Sequence, residues 1–132
     1  MVSVRVVRYS SSGRKTHEFQ TDQNGEGLFL DPRFVCENIN EDICISDCNT
    51  CGNSKVVVLS KAGNLRFTYD GKCEAGALKY FFQPLAVTTD SLGHILIADK
   101  ANDAVHLISQ DGIFLSVILT ENDGISVLFE SL

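Results

Sequence analysis

No apolar run in this sequence approaches the roughly 18 residues that a membrane-crossing helix requires, so no such helix is expected and no membrane role follows. The opening residues, MVSVRVVRYSSS, put two arginines inside their apolar stretch and contain no hydrophobic signal core. A secretory leader is therefore not expected, and the expected location is cytoplasmic. Cations are scarce: 11 Lys and Arg stand against 17 Asp and Glu, a net charge of −6. That sign is wrong for a surface that binds phosphates throughout. The shortage is uneven, however. Residues 101–132 hold no Lys or Arg, whereas Arg5, Arg8, Arg14 and Lys15 all precede the first acid, Glu18. A local basic patch is compatible with the total. The five cysteines (Cys36, Cys44, Cys48, Cys51 and Cys73) are odd in number and lack a disulfide-framework spacing, so they read as reduced thiols.

What the chain does have is short apolar runs divided by turn residues. Phe81–Leu119 contains four of them, Leu85–Thr89, His94–Asp99, Ala104–Ser109 and Phe114–Leu119, separated by segments rich in Asp, Asn and Gly. Runs this short, with many Val and Ile, predict strands joined by tight turns. Four strands in about 40 residues make an antiparallel meander the size of one β-propeller blade. Arg33–Tyr69 is a second copy, with strands expected at Phe34–Glu37, Asp42–Asp47, Lys55–Leu59 and Leu65–Tyr69. Subtraction fixes the register: Pro84 − Pro32, Val87 − Val35 and Asp99 − Asp47 are each 52, whereas Gly112 − Gly63 is 49 and Gly63 − Gly13 is 50. The second copy thus carries about three extra residues within Cys48–Ser54, a turn, where repeat architectures tolerate insertion.

Val4–Phe19 matches the second half of the unit, and Ile125–Leu132 is apolar enough for one strand of a further blade. The predicted fold is all-β: about two and a half four-stranded blades, an incomplete propeller, divided into a half blade at 1–20, blades at 32–70 and 83–119, and a strand at 125–132. Propellers close with about 4–8 blades, and four such units would need roughly 160 residues. The expectation is a fragment whose unpaired strand edges meet missing blades or another copy of the chain.

Asp47 and Asp99 end corresponding strands, and a repeated carboxylate there reads as an acceptor for turn backbone N–H groups rather than as a ligand contact. Cys44, Cys48 and Cys51 form C-x3-C-x2-C, short of the four ligands of a structural zinc site, and Cys44 falls at a core position. No metal and no cofactor are expected. His17, His94 and His106 share no spacing, and no Ser-His-Asp or Cys-His arrangement is legible, so no catalytic residue is assigned. Gly13, Gly63 and Gly112 occupy corresponding hairpin turns, where positive φ is required.

DICISD followed by KVVVLSKAGNLRFTYDG, and QPLAVTTDSLGHILIADKANDAVHLISQDGIFL, resemble NHL repeats. They are most similar to the propeller region of tripartite-motif (TRIM) proteins of the kind abundant in molluscs. The resemblance covers Asp42–Gly71 and Gln83–Leu115, and with no Trp in the chain the Trp-Asp mark of WD40 blades is not met. It implies a six-bladed propeller at the end of a longer protein, where the propeller binds proteins or RNA and a separate zinc RING carries ubiquitin ligase activity. This chain has no RING-like Cys/His array, so it is read as non-catalytic.

In the implied geometry the connectors Gln20–Arg33 and Asp70–Gln83 share one face with the loops Cys48–Ser54 and Lys100–Asp103. These segments carry the candidate partner-binding residues Arg33, Lys72, Lys79, Tyr80, Phe82, Lys100 and Asn102. Cations mixed with aromatics suit protein or single-stranded RNA contacts. Phe82 has a second reading, as a ring packed between blades. The leading expectation is a protein-interaction module, such as the substrate-recognition part of a TRIM-type ubiquitin ligase. An RNA-binding face is the alternative, and a hydrolase or lyase fragment a third reading.

Overall fold

The alternation of Val56, Val57 and Val58 within KVVVL would put every second side chain in water if only one face of the strand were covered. All three are fully buried. The reason is visible in the computed structural model, which describes residues 4–49, 52–72 and 78–119. A sheet packs on each side of the one to which this strand belongs. Val56 and Val58 enter a core with Cys44, Tyr69, Ile95, Ile97 and Ile108. Val57 and Leu59 enter another, with Phe19, Phe29, Ile43 and Ile45.

The ten strands are β1 (Val6–Tyr9), β2 (Lys15–Phe19), β3 (Pro32–Glu37), β4 (Ile43–Asp47), β5 (Lys55–Leu59), β6 (Leu65–Tyr69), β7 (Pro84–Thr89), β8 (Ile95–Asp99), β9 (Ala104–Ile108) and β10 (Phe114–Leu119). They form a two-stranded sheet, β1-β2, and two four-stranded sheets in simple chain order, β3-β4-β5-β6 and β7-β8-β9-β10. All neighbouring strands are antiparallel. The described residues are therefore all-β and form two meanders preceded by a strand pair, as the repeat implies. The expected strand at Ile125–Leu132 lies outside the described residues.

Two strands begin earlier than the apolar pattern indicates, at Pro32 and Pro84 themselves. Proline fits the first position of a strand because no N–H is needed there, and both strands show a register irregularity just after it. Seven residues separate β4 from β5 and four separate β8 from β9, so the insertion sits between Asp47 and Lys55.

The hairpins that close each meander are copies at atomic detail. Ser10, Ser60 and Ser109 donate their backbone N–H to the carbonyls of Arg14, Asn64 and Ile113, while Gly13, Gly63 and Gly112 donate back to the three serine carbonyls. Each serine Oγ also accepts the N–H four residues on. The glycines have φ between 83° and 91°. At Gly112 a Cβ would also lie 2.7 Å from the Phe67 ring of the preceding sheet, so hairpin and sheet packing demand the same residue.

Polar bonds cross between the two large sheets. Ser46 Oγ donates to the Leu85 carbonyl at 2.6 Å, and Asn38 Nδ2 donates to the Gly93 carbonyl at 2.8 Å. Arg66, on β6, bonds Asp42 of its own sheet and both the Gln110 carbonyl and Asp111 of the next.

Candidate functional site

The connectors reach the sheets through a repeated clasp. Asp47 is fully buried at the end of β4 and accepts the N–H groups of Leu30 and Asp31, the latter at 2.6 Å. In the second meander Asp99 accepts the Gln83 N–H at 3.0 Å. Cys48 N–H then donates to the Asp31 carbonyl and Lys100 N–H to the Gln83 carbonyl, each at 3.1 Å. Gln83 is 52 residues after Asp31, the offset found in the sequence. Both aspartates accept backbone N–H groups, as expected, but the donors shown lie in the connector upstream rather than in the turns.

Beside this clasp lies an open cavity of about 850 Å³ between the two large sheets. Of the seven sequence candidates, Arg33, Lys79, Tyr80, Phe82 and Lys100 line it. Lys79 and Tyr80 come from the connector before β7, Arg33 from β3 and Lys100 from the loop after β8, so three distant segments meet at one rim. Tyr80 is 64% exposed. Phe81, which the sequence reading passed over, is 81% exposed and also lines the cavity. Only its position beside Tyr80 signalled it.

Phe82 is 8% exposed, because its ring packs edge-on against Tyr69 and His106 at the interface of the sheets. It is both the floor of the cavity and a packed ring between blades. Lys72 is not among the lining residues; it is fully in solvent, with Asp70 at 3.8 Å.

Asn102 corrects the sequence reading in another way. It was expected on the exposed face, but it is buried. Its Oδ1 accepts the N–H groups of Lys79 (3.1 Å) and Tyr80 (2.8 Å), while Nδ2 donates to the Tyr80 carbonyl and to Asp99. A buried amide survives only when its donors and acceptors are engaged, and here they hold the strip that carries Lys79, Tyr80 and Phe81. Asn102 positions the rim without forming it.

Beneath Phe82 lies a chain of polar groups. Asp99 Oδ2 accepts from Asn102 and, at 2.9 Å, from His106 Nε2. The other ring nitrogen of His106, Nδ1, is hydrogen-bonded to Tyr69 Oη at 2.6 Å. Asp99 and His106 are wholly enclosed and face no solvent. The sequence did carry a signal for this network: His106 occupies the register position that Val57 holds in the other meander, paired with Ile97 as Val57 is with Ile45. A histidine in a valine slot must find polar partners.

Cys36 and Cys44 oppose each other on β3 and β4. Their thiol–thiol hydrogen bond lowers the Cys36 pKa, while that bond and burial push Cys44 well above the ordinary thiol range. Cys44 is a core residue, as expected. Among the described residues no group of three or more His, Cys, Asp or Glu could hold a metal. Cys51 and Cys73 lie outside the described residues.

No protein-family model matches the chain, and no curated protein matches it. Solved structures do. A streptogramin B lyase aligns with 86% of the chain at a TM-score of 0.60 and 20% identity, and a protein of unknown function from Bacteroides caccae aligns with 88% at 0.52 and 13%. The chain spans only 33% and 39% of those two proteins. At such identities the likeness concerns the fold alone, and the fold is that of β-propeller blades.

Proposed function

We propose that the chain is a recognition module that holds a protein partner on the face where its connectors and interblade loops converge. The observation that supports this is the cavity itself: exposed Tyr80 and Phe81 beside Lys79, Lys100 and Arg33, over a floor made by Phe82. Exposed aromatic residues and arginine are enriched at protein interfaces. A lyase or hydrolase reading requires acid–base groups within reach of a substrate. Asp99 and His106, the carboxylate and histidine beneath this cavity, are covered by Phe82 and engaged with each other, which favours recognition. In a parent protein of the tripartite-motif kind, the bound partner would be the protein presented for ubiquitin transfer.

The test is a display selection of short random peptides on the intact chain and on a Tyr80→Ser/Phe81→Ser variant. Recognition at this face predicts sequences enriched on the former and lost on the latter. Equal enrichment on both, or none on either, would overturn the proposal.

A further inference from the structure

Cations elsewhere in this molecule are mostly engaged by acids: Arg5 and Lys15 with Glu18, Arg8 with Glu37, Lys61 with Glu41, and Arg66 with Asp42 and Asp111. The cavity breaks that habit. Lys79 and Lys100 form no ion pair among the described residues, and no Asp or Glu is among the described residues that line it. Among the described residues Arg33 has one ion-pair partner, Asp31 at 2.7 Å, which is itself half in solvent. Asp99 sits below the floor with its oxygens already occupied by Gln83, Asn102 and His106. Among the described residues the rim is thus a positive patch on a molecule of net charge −6. Lys79 and Lys100 come from separate segments and line one cavity, so a negative group seated there would meet both.

Between those cations stand Phe81, Tyr80 and the apolar wall of Leu78 and Leu85. An occupant that engages both kinds of lining carries carboxylates together with an apolar side chain. We infer that the site takes an acidic peptide segment, Asp- or Glu-rich, with an aromatic or large aliphatic residue beside its carboxylates. The apolar side chain lies on Phe82 and the carboxylates meet Lys79 and Lys100. A nucleic-acid strand fits less well. It carries a charge on every nucleotide and needs a continuous cationic track, whereas this patch has three cations, one of them already paired, on an acidic molecule that repels a polyanion at longer range.

This inference rests on the recognition reading above, and one experiment separates the two. Peptides enriched by display on the intact chain are synthesised and titrated by fluorescence anisotropy against the chain, a Lys79→Glu/Lys100→Glu variant, and a Lys72→Glu control outside the cavity. A labelled oligouridine is titrated alongside. The expected result is acidic–apolar winners whose affinity falls about tenfold or more on the double reversal, holds on the control and weakens with salt. Neutral or basic winners that still depend on Phe81 would overturn the acidic class and leave recognition standing. Oligouridine binding lost on the reversal, with no peptide enriched, would overturn both in favour of nucleic acid. Binding of neither probe would also overturn both.

Discussion

Glu41 has φ of 69°, in the left-handed region that only glycine enters freely. Its counterpart 52 residues on is Gly93, at φ 88°, and the two turns share their hydrogen bonds: Asn38 to Asp42 and Glu41 to Asn38 in one, Asp90 to His94 and Gly93 to Asp90 in the other. The first blade thus keeps a strained side chain where the second has none. Glu41→Gly is expected to raise stability by up to about 1 kcal/mol, the relieved strain exceeding the exposed pair with Lys61, measured by urea unfolding. At this scale the sequence was legible where a position repeats, as at Asp47 and Asp99, although their donors lie in the connector upstream. It was not legible at Asn102, whose partners Lys79 and Tyr80 lie more than twenty residues upstream. An Asn in a four-residue turn looks solvent-exposed until the connector folded over it is known.

The strands were the most readable elements. Lys55–Leu59 and Leu65–Tyr69 coincide with their apolar runs because turn residues bound them on both sides. What a run does not disclose is the element on its other face, which is why the burial of both sides of β5 emerges only from packing. Arg66 shows how neighbouring elements are joined. Arg66→Ala removes its charged bonds to Asp42 and to the Gln110 carbonyl, and Asp42 is almost fully buried. Its expected cost is about 1–3 kcal/mol in chemical unfolding, with Asp111 contributing little because it is exposed. The turn before β8 carries a pH dependence. Partial burial alone would raise the Asp90 carboxyl, but the His94 ring and the N–H groups of His94 and Leu92 together hold it below its ordinary value. A carboxyl held down in the folded chain stabilises it above the unfolded pKa, and that stability is lost as pH falls through the folded one. Asp90→Asn should therefore flatten part of the fall in stability below about pH 4, as read from urea midpoints across an acid titration.

Across the whole molecule, each sheet touches its neighbour through one shared core, as in other repeat proteins. The bonds from Ser46, Asn38 and Arg66 cross the interface of the large sheets at separate points. The two meanders should consequently unfold together: far-ultraviolet and near-ultraviolet circular dichroism, the latter reporting the Tyr69–Phe82 cluster, are expected to give coincident transitions. Ile97→Ala, in the shared core, should lower both by the same amount, about 2–5 kcal/mol. Separate transitions would show that the sheets are energetically independent.

The clasp at Asp47 and Asp99 bears on how such a chain can be altered. It anchors the connector on one side of the loop, while the pairs Asp47–Lys55 and Asp99–Ala104 seal the ladder on the other. Between these fixed ends three additional residues are accommodated in one blade without disturbing either strand. The segment after the second strand is therefore an exchangeable cassette. Transplanting Lys100–Asp103 between Asp47 and Lys55 would put a lysine there with an asparagine two positions on, so the loop of each blade can be rewritten while its framework is left intact.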